Sequence, residues 1–180
     1  MWLPSAAMAV RAEQDQAAVR AVHTAAFKDD GRVADLVDAL RTDPATLSLV
    51  ATEDGTVTGH VMFSRCLLDA PQRLVEVWSL SPLGVLPAFQ RRGIGRELIR
   101  RGLAELDARG APLVFLEGDP GYYRESGFAA AGELGFRKPS LRIPDAAFQV
   151  YPLSAYEPWM TGTFVYSAVF WAHDAVGLRG

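Results

Sequence analysis

The sequence predicts an α+β fold in a single domain spanning residues 1–180. Its length of 180 residues suits one domain that can bury a sizeable apolar core. Several apolar segments follow one another through short turns, which is typical of antiparallel strands. Three other segments repeat their apolar residues at helical spacing. Together these patterns indicate a sheet packed against helices.

The N-terminal part predicts one strand and two helices. Val10–Glu13 is predicted to be a short strand. Because the recognisable pattern begins there, residues 1–9 are predicted to be an N-terminal extension. Asp15–Phe27 predicts the first helix, Gly31 interrupts the periodicity, and Arg32–Arg41 predicts the second helix.

The next three strands are predicted to be joined by tight connections. Leu47–Thr52 and Val57–Leu68 flank Asp54-Gly55, a dipeptide typical of two-residue hairpin turns. A loop over residues 69–72 then leads into Arg73–Val85, the third of these strands. The sequence therefore predicts an antiparallel meander in this region.

The loop over residues 69–72 also predicts which residues of the flanking strands oppose each other. A four-residue loop places Phe63 opposite Trp78 and Arg65 opposite Glu76. Two interpretations of Glu76 stay open at this point. It is a candidate general base, because it is a carboxylate within an apolar strand face, or it is the cross-strand ion partner of Arg65.

A helix start follows the meander at Gln90–Gly95. Apolar residues recur at helical spacing beyond Gly95 until Gly110 ends the pattern. A helix N-terminus carries unpaired N–H groups that favour anions, and Gly93 and Gly95 leave room for a phosphate beside the main chain. Positive charge comes from three arginines, Arg91, Arg92 and Arg96. The local chemistry indicates a pyrophosphate site.

Other kinds of glycine-rich turn account less well for this hexapeptide. A P-loop requires Gly-Lys-Ser/Thr, which does not follow here, and a dinucleotide fingerprint requires a third glycine near Leu98. On the hexapeptide alone, a plain strand-to-helix turn with a solvated basic face stays open.

The stretch as a whole resembles the acetyl-CoA signature of the GCN5-related N-acetyltransferases (GNAT superfamily). The residues that carry this resemblance are Leu83, Val85, Pro87, Gln90, Gly93 and Gly95. A second block resembles the family's fifth strand, the following helix and the closing Tyr-x-x-x-Gly-Phe; it runs from Leu113 to Phe128. Its Gly118-Asp119-Pro120-x-Tyr122-Tyr123 resembles the bacterial "predicted N-acetyltransferase" subgroup. The likeness covers Val10–Phe128 and is looser in the variable part, residues 129–180.

The resemblance implies a mixed, mostly antiparallel sheet of about seven strands, with helices on both faces and strands 4 and 5 splayed. The pantetheine arm of acetyl-CoA would insert into that splay, and Pro82, which cannot donate to a sheet ladder, suits a strand that bulges away. The residues that the resemblance assigns to the coenzyme are Leu83, Gly84, Val85, Gln90, Arg91, Arg92, Gly93, Ile94, Gly95 and Arg96. The two N-terminal helices would form one wall of the acceptor site, which makes His23 and Phe27 candidate pocket residues. A surface or half-buried position on the helix is the other interpretation of His23.

The implied reaction transfers an acetyl group from acetyl-CoA to a primary amine of an unidentified acceptor, by direct attack in a ternary complex. The Leu83 backbone N–H would polarise the thioester carbonyl, and Tyr123 would donate a proton to the leaving sulfur. Glu76, Asp119 or a water chain would deprotonate the amine. The alternative is a non-catalytic acyl-CoA-binding or sensing module.

Beyond Phe128 the pattern is weaker. Ala147–Leu153 and Thr163–Ala168 are predicted strands. Between them lie Tyr156, Trp159 and Met160, which line an acceptor pocket or pack in the core under a long loop. In the GNAT family, edge strands near the C-terminus often pair between subunits, which allows a homodimer.

Composition sets the remaining expectations. The net charge of −3 gives no argument for a nucleic-acid partner, so the expected acceptor is a small-molecule or peptide amine. One cysteine, Cys66, permits no intramolecular disulfide, which fits a reducing cytoplasm. No apolar run reaches membrane-spanning length, and no secretory leader pattern opens the chain. No cluster has metal-ligand spacing, so no metal is expected.

Overall fold

The computed structural model of the protein describes residues 7–179, so most of the predicted extension lies outside the described residues. One sheet of nine strands runs through the fold. The strands are β1 (Ala9–Ala12), β2 (Leu47–Glu53), β3 (Thr56–Asp69), β4 (Leu74–Val85), β5 (Leu113–Glu117), β6 (Ala129–Ala130), β7 (Phe136–Arg137), β8 (Phe148–Pro152) and β9 (Gly162–Val165). Seven of them have four residues or more, which accounts for the prediction of about seven.

Within residues 7–179, five α-helices accompany the sheet: α1 (Gln16–Ala26), α2 (Arg32–Leu40), α3 (Ile94–Ala108), α4 (Pro120–Tyr123) and α5 (Ala168–Ala172). Asp15 caps α1 by accepting a hydrogen bond from the Ala18 N–H at 3.1 Å. Gly31 and Gly93 precede α2 and α3 with positive φ, a conformation that glycine adopts without strain. The three predicted helices are therefore present with their predicted starts. The sequence pattern did not predict α5.

The sheet is mixed and mostly antiparallel, as predicted. Its main path is β1-β2-β3-β4-β5-β8-β6, and β9 pairs with the far end of β3 and with β7. Parallel pairing occurs between β4 and β5 and between β7 and β9. The predicted Asp54-Gly55 turn joins β2 to β3, with positive φ at both residues.

Two apolar cores lie on opposite faces of the sheet, because neighbouring residues of a strand point to opposite sides. Val50 of β2 and Phe115 of β5 belong to the core beneath α1, α2 and α5. Leu49 and Val114, their sequence neighbours, belong to the core beneath α3. Helices thus cover both faces. We call these the α1/α2 face and the α3 face.

The predicted register between the third and fourth strands is wrong by two residues. Strand β3 continues to Asp69, which pairs with Leu74, so the four-residue loop begins one residue later than predicted. Phe63 consequently opposes Leu80, and Arg65 opposes Trp78. A shift of two residues keeps every side chain on its predicted face, since the period of a strand is two. The apolar pattern alone therefore could not distinguish the two registers.

Candidate active site

A cleft of about 1000 Å³ opens where β4 and β5 separate. The two strands pair only at Trp78–Val114 and Ser79–Phe115, and β4 continues beyond that point without β5 beside it. The cleft walls come from both faces of the sheet, since Leu36 belongs to the α1/α2 core and Ile94 to the α3 core. The cleft therefore crosses the sheet through the predicted splay.

The α3 face of the cleft holds the predicted phosphate loop. Gly93 is the N-cap of α3, and no side chain caps the helix there. A Cβ at Gly93 would meet open space, so there is room beside the main chain at the residue that precedes α3. The residues of the predicted coenzyme set that line the cleft are Leu83, Val85, Gln90, Arg91, Gly93, Ile94, Gly95 and Arg96.

Two members of the predicted coenzyme set lie elsewhere. Arg92 turns away from the cleft, pairs with Glu53 at 3.1 Å and stacks over the Phe89 ring. Gly84 is buried in the β3–β4 ladder, where a Cβ would come within 2.7 Å of His23 Nδ1. Gly84 thus lets α1 approach the strand closely.

Of the two other arginines at this end, Arg96 is already partnered. Arg96 forms an ion pair with Glu125, and both side chains are more than half exposed. Because an exposed pair contributes little to stability, a phosphate can compete with Glu125 for the guanidinium.

Tyr122 and Tyr123 both line the cleft, but in different surroundings. The Tyr122 hydroxyl lies against Gly95 at the N-terminus of α3, and the residue is 41% exposed. Tyr123 packs against the α3 core and stands edge-on to Phe128. Burial raises the pKa of Tyr123 well above the usual value for a phenol, so the hydroxyl keeps its proton at neutral pH.

On the α1/α2 face the cleft contains Glu117, which the sequence analysis did not single out. Glu117 ends β5 and points to the same face as Phe115, two residues earlier. Its carboxylate accepts hydrogen bonds from the Tyr166 hydroxyl at 2.9 Å and from the Gly177 N–H at 3.1 Å. Burial raises the pKa of Glu117, and these two donors, together with the charge of Arg142, partly oppose that rise.

One signal in the sequence could have identified this glutamate. Glu117 is the single charged residue at the end of the apolar run Leu113–Leu116, inside the second block. A carboxylate at the end of a buried strand beside a splay is a candidate for function rather than for packing. Tyr166 and Gly177, which hold it, are too distant in sequence to have been paired with it.

The predicted candidate base Glu76 lies outside the cleft. Its side chain is 57% exposed, and its carboxylate lies 3.6 Å from an Arg65 guanidinium nitrogen. Arg65 makes its shorter contacts, at 2.8 and 2.9 Å, with Asp43. Of the two interpretations of Glu76, the geometry favours the structural ion pair.

The aromatic cluster near the C-terminus also lies away from the cleft. Met160 is buried in the α1/α2 core, and Tyr156 and Trp159 pack against that core. Of the two interpretations of this cluster, core packing fits the structure.

A chain of polar side chains, buried at His23 and His60, connects α1 to β3 and β2. His23 Nε2 is 2.7 Å from His60 Nδ1, and His60 Nε2 is 2.8 Å from Ser48 Oγ. Ser48 donates to Glu13, which also pairs with Arg41. The sequence analysis took His23 for a surface or half-buried residue or a pocket residue, whereas it is fully buried and does not line the cleft.

Acidification should therefore destabilise the fold through this chain. Burial and the charge of Arg41 lower the pKa of His23 to about 4, and the pKa of His60 is also lowered. Since the unfolded histidine titrates near 6.5, stability is lost as the pH falls from about 6.5 to about 4, by about 3 kcal/mol for His23. Chemical denaturation at a series of pH values measures this loss.

His23→Gln tests the assignment, because glutamine keeps hydrogen-bonding groups but does not titrate. We expect the variant to lose less stability than the parent between pH 6.5 and pH 4. Equal losses in the two proteins would show that other groups cause the acid sensitivity.

Comparisons with known proteins identify the family. A family model described as the Acetyltransferase (GNAT) family matches residues 10–131. The chain belongs to this family. The resemblance inferred from the sequence is thus confirmed for the superfamily, and the narrower subgroup stays a prediction.

Relatives of this GNAT chain agree in sequence and in structure. It is 34% identical over 157 residues to the uncharacterized N-acetyltransferase YjhQ of Escherichia coli, covering 83% of this chain and 86% of YjhQ. The crystal structure of E. coli YhbS in complex with CoA matches at a TM-score of 0.84 and 30% identity, covering 94% and 95% of the two chains. The structure of a GNAT family acetyltransferase from Brucella melitensis in complex with acetyl-CoA matches at a TM-score of 0.73 and 39% identity. This match covers 91% of this chain and 98% of the Brucella chain. The protein is an N-acetyltransferase with the GNAT fold.

The described residues of this GNAT chain contain neither a metal-binding cluster nor a membrane-spanning helix. Within residues 7–179, no group of three or more His, Cys, Asp or Glu side chains is placed to hold a metal ion. Among the helices of that range, none combines the length and the apolar character that crossing a membrane requires.

Proposed function

We propose that this N-acetyltransferase passes the acetyl group of acetyl-CoA directly to a primary amine, with both substrates bound in one cleft. The observation that carries the proposal is the cleft itself. It crosses the sheet between β4 and β5, with a cationic helix N-terminus on one face and a half-buried carboxylate on the other. Relatives of similar length are described in complex with CoA and with acetyl-CoA, which supports the choice of co-substrate.

The coenzyme is placed on the α3 face. Its pyrophosphate binds the N–H groups at the start of α3, beside Arg91 and Arg96. Its pantetheine arm follows Leu83–Val85 in the gap that β5 leaves open. Gln90 donates to the Val85 carbonyl at 3.1 Å and so fixes the turn between the strand and the loop.

The acetyl transfer then needs three groups around the thioester. Glu117 takes a proton from the ammonium, since an amine with a pKa near 10.4 is neutral only about once in 2,500 molecules at pH 7, which corresponds to about 4.6 kcal/mol. The amine nitrogen attacks the thioester carbon, while the Leu83 N–H donates to the carbonyl oxygen. As the C–S bond breaks, the Tyr123 hydroxyl donates to the developing thiolate, and the nitrogen of the new amide gives its second proton to solvent.

A screen of amines with free-thiol detection and mass spectrometry tests the function. We expect CoA release that depends on the amine and an acetylated product of matching mass. The competing possibility, a binding or sensing module, predicts tight acetyl-CoA binding with only slow, amine-independent thioester hydrolysis. That second result would contradict the proposed function.

The phosphate loop makes a separate prediction about Gly93. Gly93→Val fills the open space at the start of α3 with a branched side chain, and we expect acetyl-CoA affinity in calorimetry to fall at least about tenfold. Because φ is +83° there, valine also strains the backbone by roughly 1–2 kcal/mol. Gly93→Asn separates the two effects, since asparagine tolerates this conformation but still fills the space. Unchanged affinity in both variants would contradict the phosphate assignment.

The proposal extends to the setting of the enzyme. We place it in the cytoplasm, acting on a small-molecule or peptide amine without a metal, nucleic acid or membrane. The net charge of −3 supports an acceptor other than nucleic acid. The one cysteine, Cys66, is a buried free thiol, which supports a reducing compartment. A homodimer stays a prediction.

A further inference from the structure

We propose that the acceptor is a compact apolar monoamine, an alkylamine or arylalkylamine, whose ammonium group binds Glu117 while its hydrocarbon part lies against α1 and α2. The inference rests on the proposed function and names the substrate class of the same site. It is carried by the side chains around Glu117 on the α1/α2 face of the cleft.

The side chains that α1, α2 and the segment after α5 contribute to the cleft are hydrocarbon. Phe27 follows the last residue of α1, and Val33 and Leu36 come from successive turns of α2. Ala175 closes the same side from the segment after α5. None of these four side chains can hydrogen-bond or pair with a charge, so the part of the acceptor that they contact has to be apolar.

Among the described residues that line the cleft, the charged side chain on this face is Glu117. Among the described residues that line the cleft, the other acidic side chain is Asp119, which is exposed and caps α4 through the Gly121 N–H at 2.9 Å. Arg142 lies behind Glu117 and favours its ionised form. The Tyr166 hydroxyl and the Gly177 N–H occupy part of the carboxylate, and its remaining lone pairs can accept from an ammonium group.

This arrangement discriminates against a second charge on the acceptor. The second ammonium of a diamine would be buried against Phe27, Val33 and Leu36, which is strongly unfavourable. The nearby carboxylate of Asp29 is bonded to the Val33 N–H at 3.0 Å and does not line the cleft. The carboxylate of an amino acid would lie near Glu117 and be repelled. The cleft of about 1000 Å³ also has to hold the pantetheine arm, so the acceptor occupies only a fraction of it.

The substrate class is tested by measuring kcat/KM for acetylation of four amines. Hexylamine and 2-phenylethylamine represent the proposed class, and putrescine and glycinamide represent charged and polar acceptors. We expect kcat/KM for each apolar amine to exceed that for putrescine and for glycinamide by at least about 10²-fold. Values for putrescine or glycinamide equal to or above those for the apolar amines would overturn the inference.

A specificity switch at Val33 makes the test sharper. Val33→Asp adds a carboxylate to the apolar wall in the first turn of α2, where an acidic residue complements the helix dipole. We expect putrescine to gain at least about tenfold in kcat/KM relative to hexylamine. Val33→Asn is the matched uncharged control and should not produce this gain. An unchanged preference in a folded Val33→Asp variant would contradict the placement of the hydrocarbon part.

A binding measurement separates this inference from the proposed function. Each amine is titrated by calorimetry into the protein saturated with CoA, which cannot react. Apolar amines that bind at least about tenfold tighter than putrescine but are never acetylated would uphold the substrate class and refute the transfer. Acetylation that favours putrescine or glycinamide would uphold the transfer and refute the class. An absence of both binding and acetylation for the apolar amines would refute both.

Discussion

Glu117→Gln lowers kcat for amine acetylation by about 10²–10⁴-fold, with little change in acetyl-CoA affinity. This is the range that general acid–base catalysis contributes, and glutamine cannot accept the proton of the ammonium. Glutamine has the same shape, and its oxygen can still accept from the Tyr166 hydroxyl. Steady-state kinetics with a saturating amine measures the loss, and a thermal melt shows whether the variant is folded.

The pH dependence gives this prediction a second readout. The base works as the carboxylate, so the rate falls as the pH drops through the pKa of Glu117, which burial has raised above the usual glutamate value. We expect the inflection at the pKa of Glu117 to be lost from the kcat/KM profile of Glu117→Gln, which leaves the ionisation of the amine itself. Glu76→Gln is the matched control, because this exposed glutamate pairs with Arg65 and should leave both kcat and the profile unchanged. A Glu117→Gln enzyme within twofold of the parent would exclude Glu117 as the base.

Tyr123→Phe lowers kcat at least about tenfold and leaves acetyl-CoA binding nearly intact. The change keeps the ring, which packs against Phe128, and removes only the hydroxyl that would donate to the leaving sulfur. The raised pKa of Tyr123 limits how far its proton can move. Burial raises the pKa of a thiol as well, so a strong hydrogen bond to the thiolate is still expected to stabilise it.

Tyr122→Phe is the matched control for this experiment. Tyr122 is the adjacent tyrosine, and its hydroxyl lies at Gly95 near the phosphate loop rather than in the α3 core. We expect its loss to affect coenzyme affinity more than kcat. Equal kcat values for Tyr123→Phe and the parent would leave protonation of the thiolate to water.

The sequence was sufficient for the elements of the fold but not for all of their pairings. Each predicted helix had a local stop or start signal, such as Asp15 or Gly93, and the structure contains all three. The β3–β4 register depended on the residue at which β3 ends, which is Asp69. No local signal distinguished two registers that place the same residues on the same faces. The short strands β6 and β7 have two residues each, too few to show a period.

In the candidate site, too, residues that are contiguous in sequence were predicted, whereas contacts between distant residues were not. The phosphate loop is contiguous in the chain, so its glycines and arginines could be recognised together. Glu117 is held by Tyr166 and Gly177, which lie 49 and 60 residues away, and no spacing rule links such partners. The His23–His60 contact joins a helix to a strand across 37 residues and was missed for the same reason. Arg92 fits the motif in sequence, but in the structure its guanidinium forms an ion pair with Glu53.

The separation of β4 from β5 has a consequence for how substrates bind and products leave. With the coenzyme on the α3 face and the amine on the α1/α2 face, neither substrate has to pass the place of the other. Each product can also leave by the route through which its parent compound arrived. For this proposed placement we expect initial-rate kinetics without an obligatory order of binding or release.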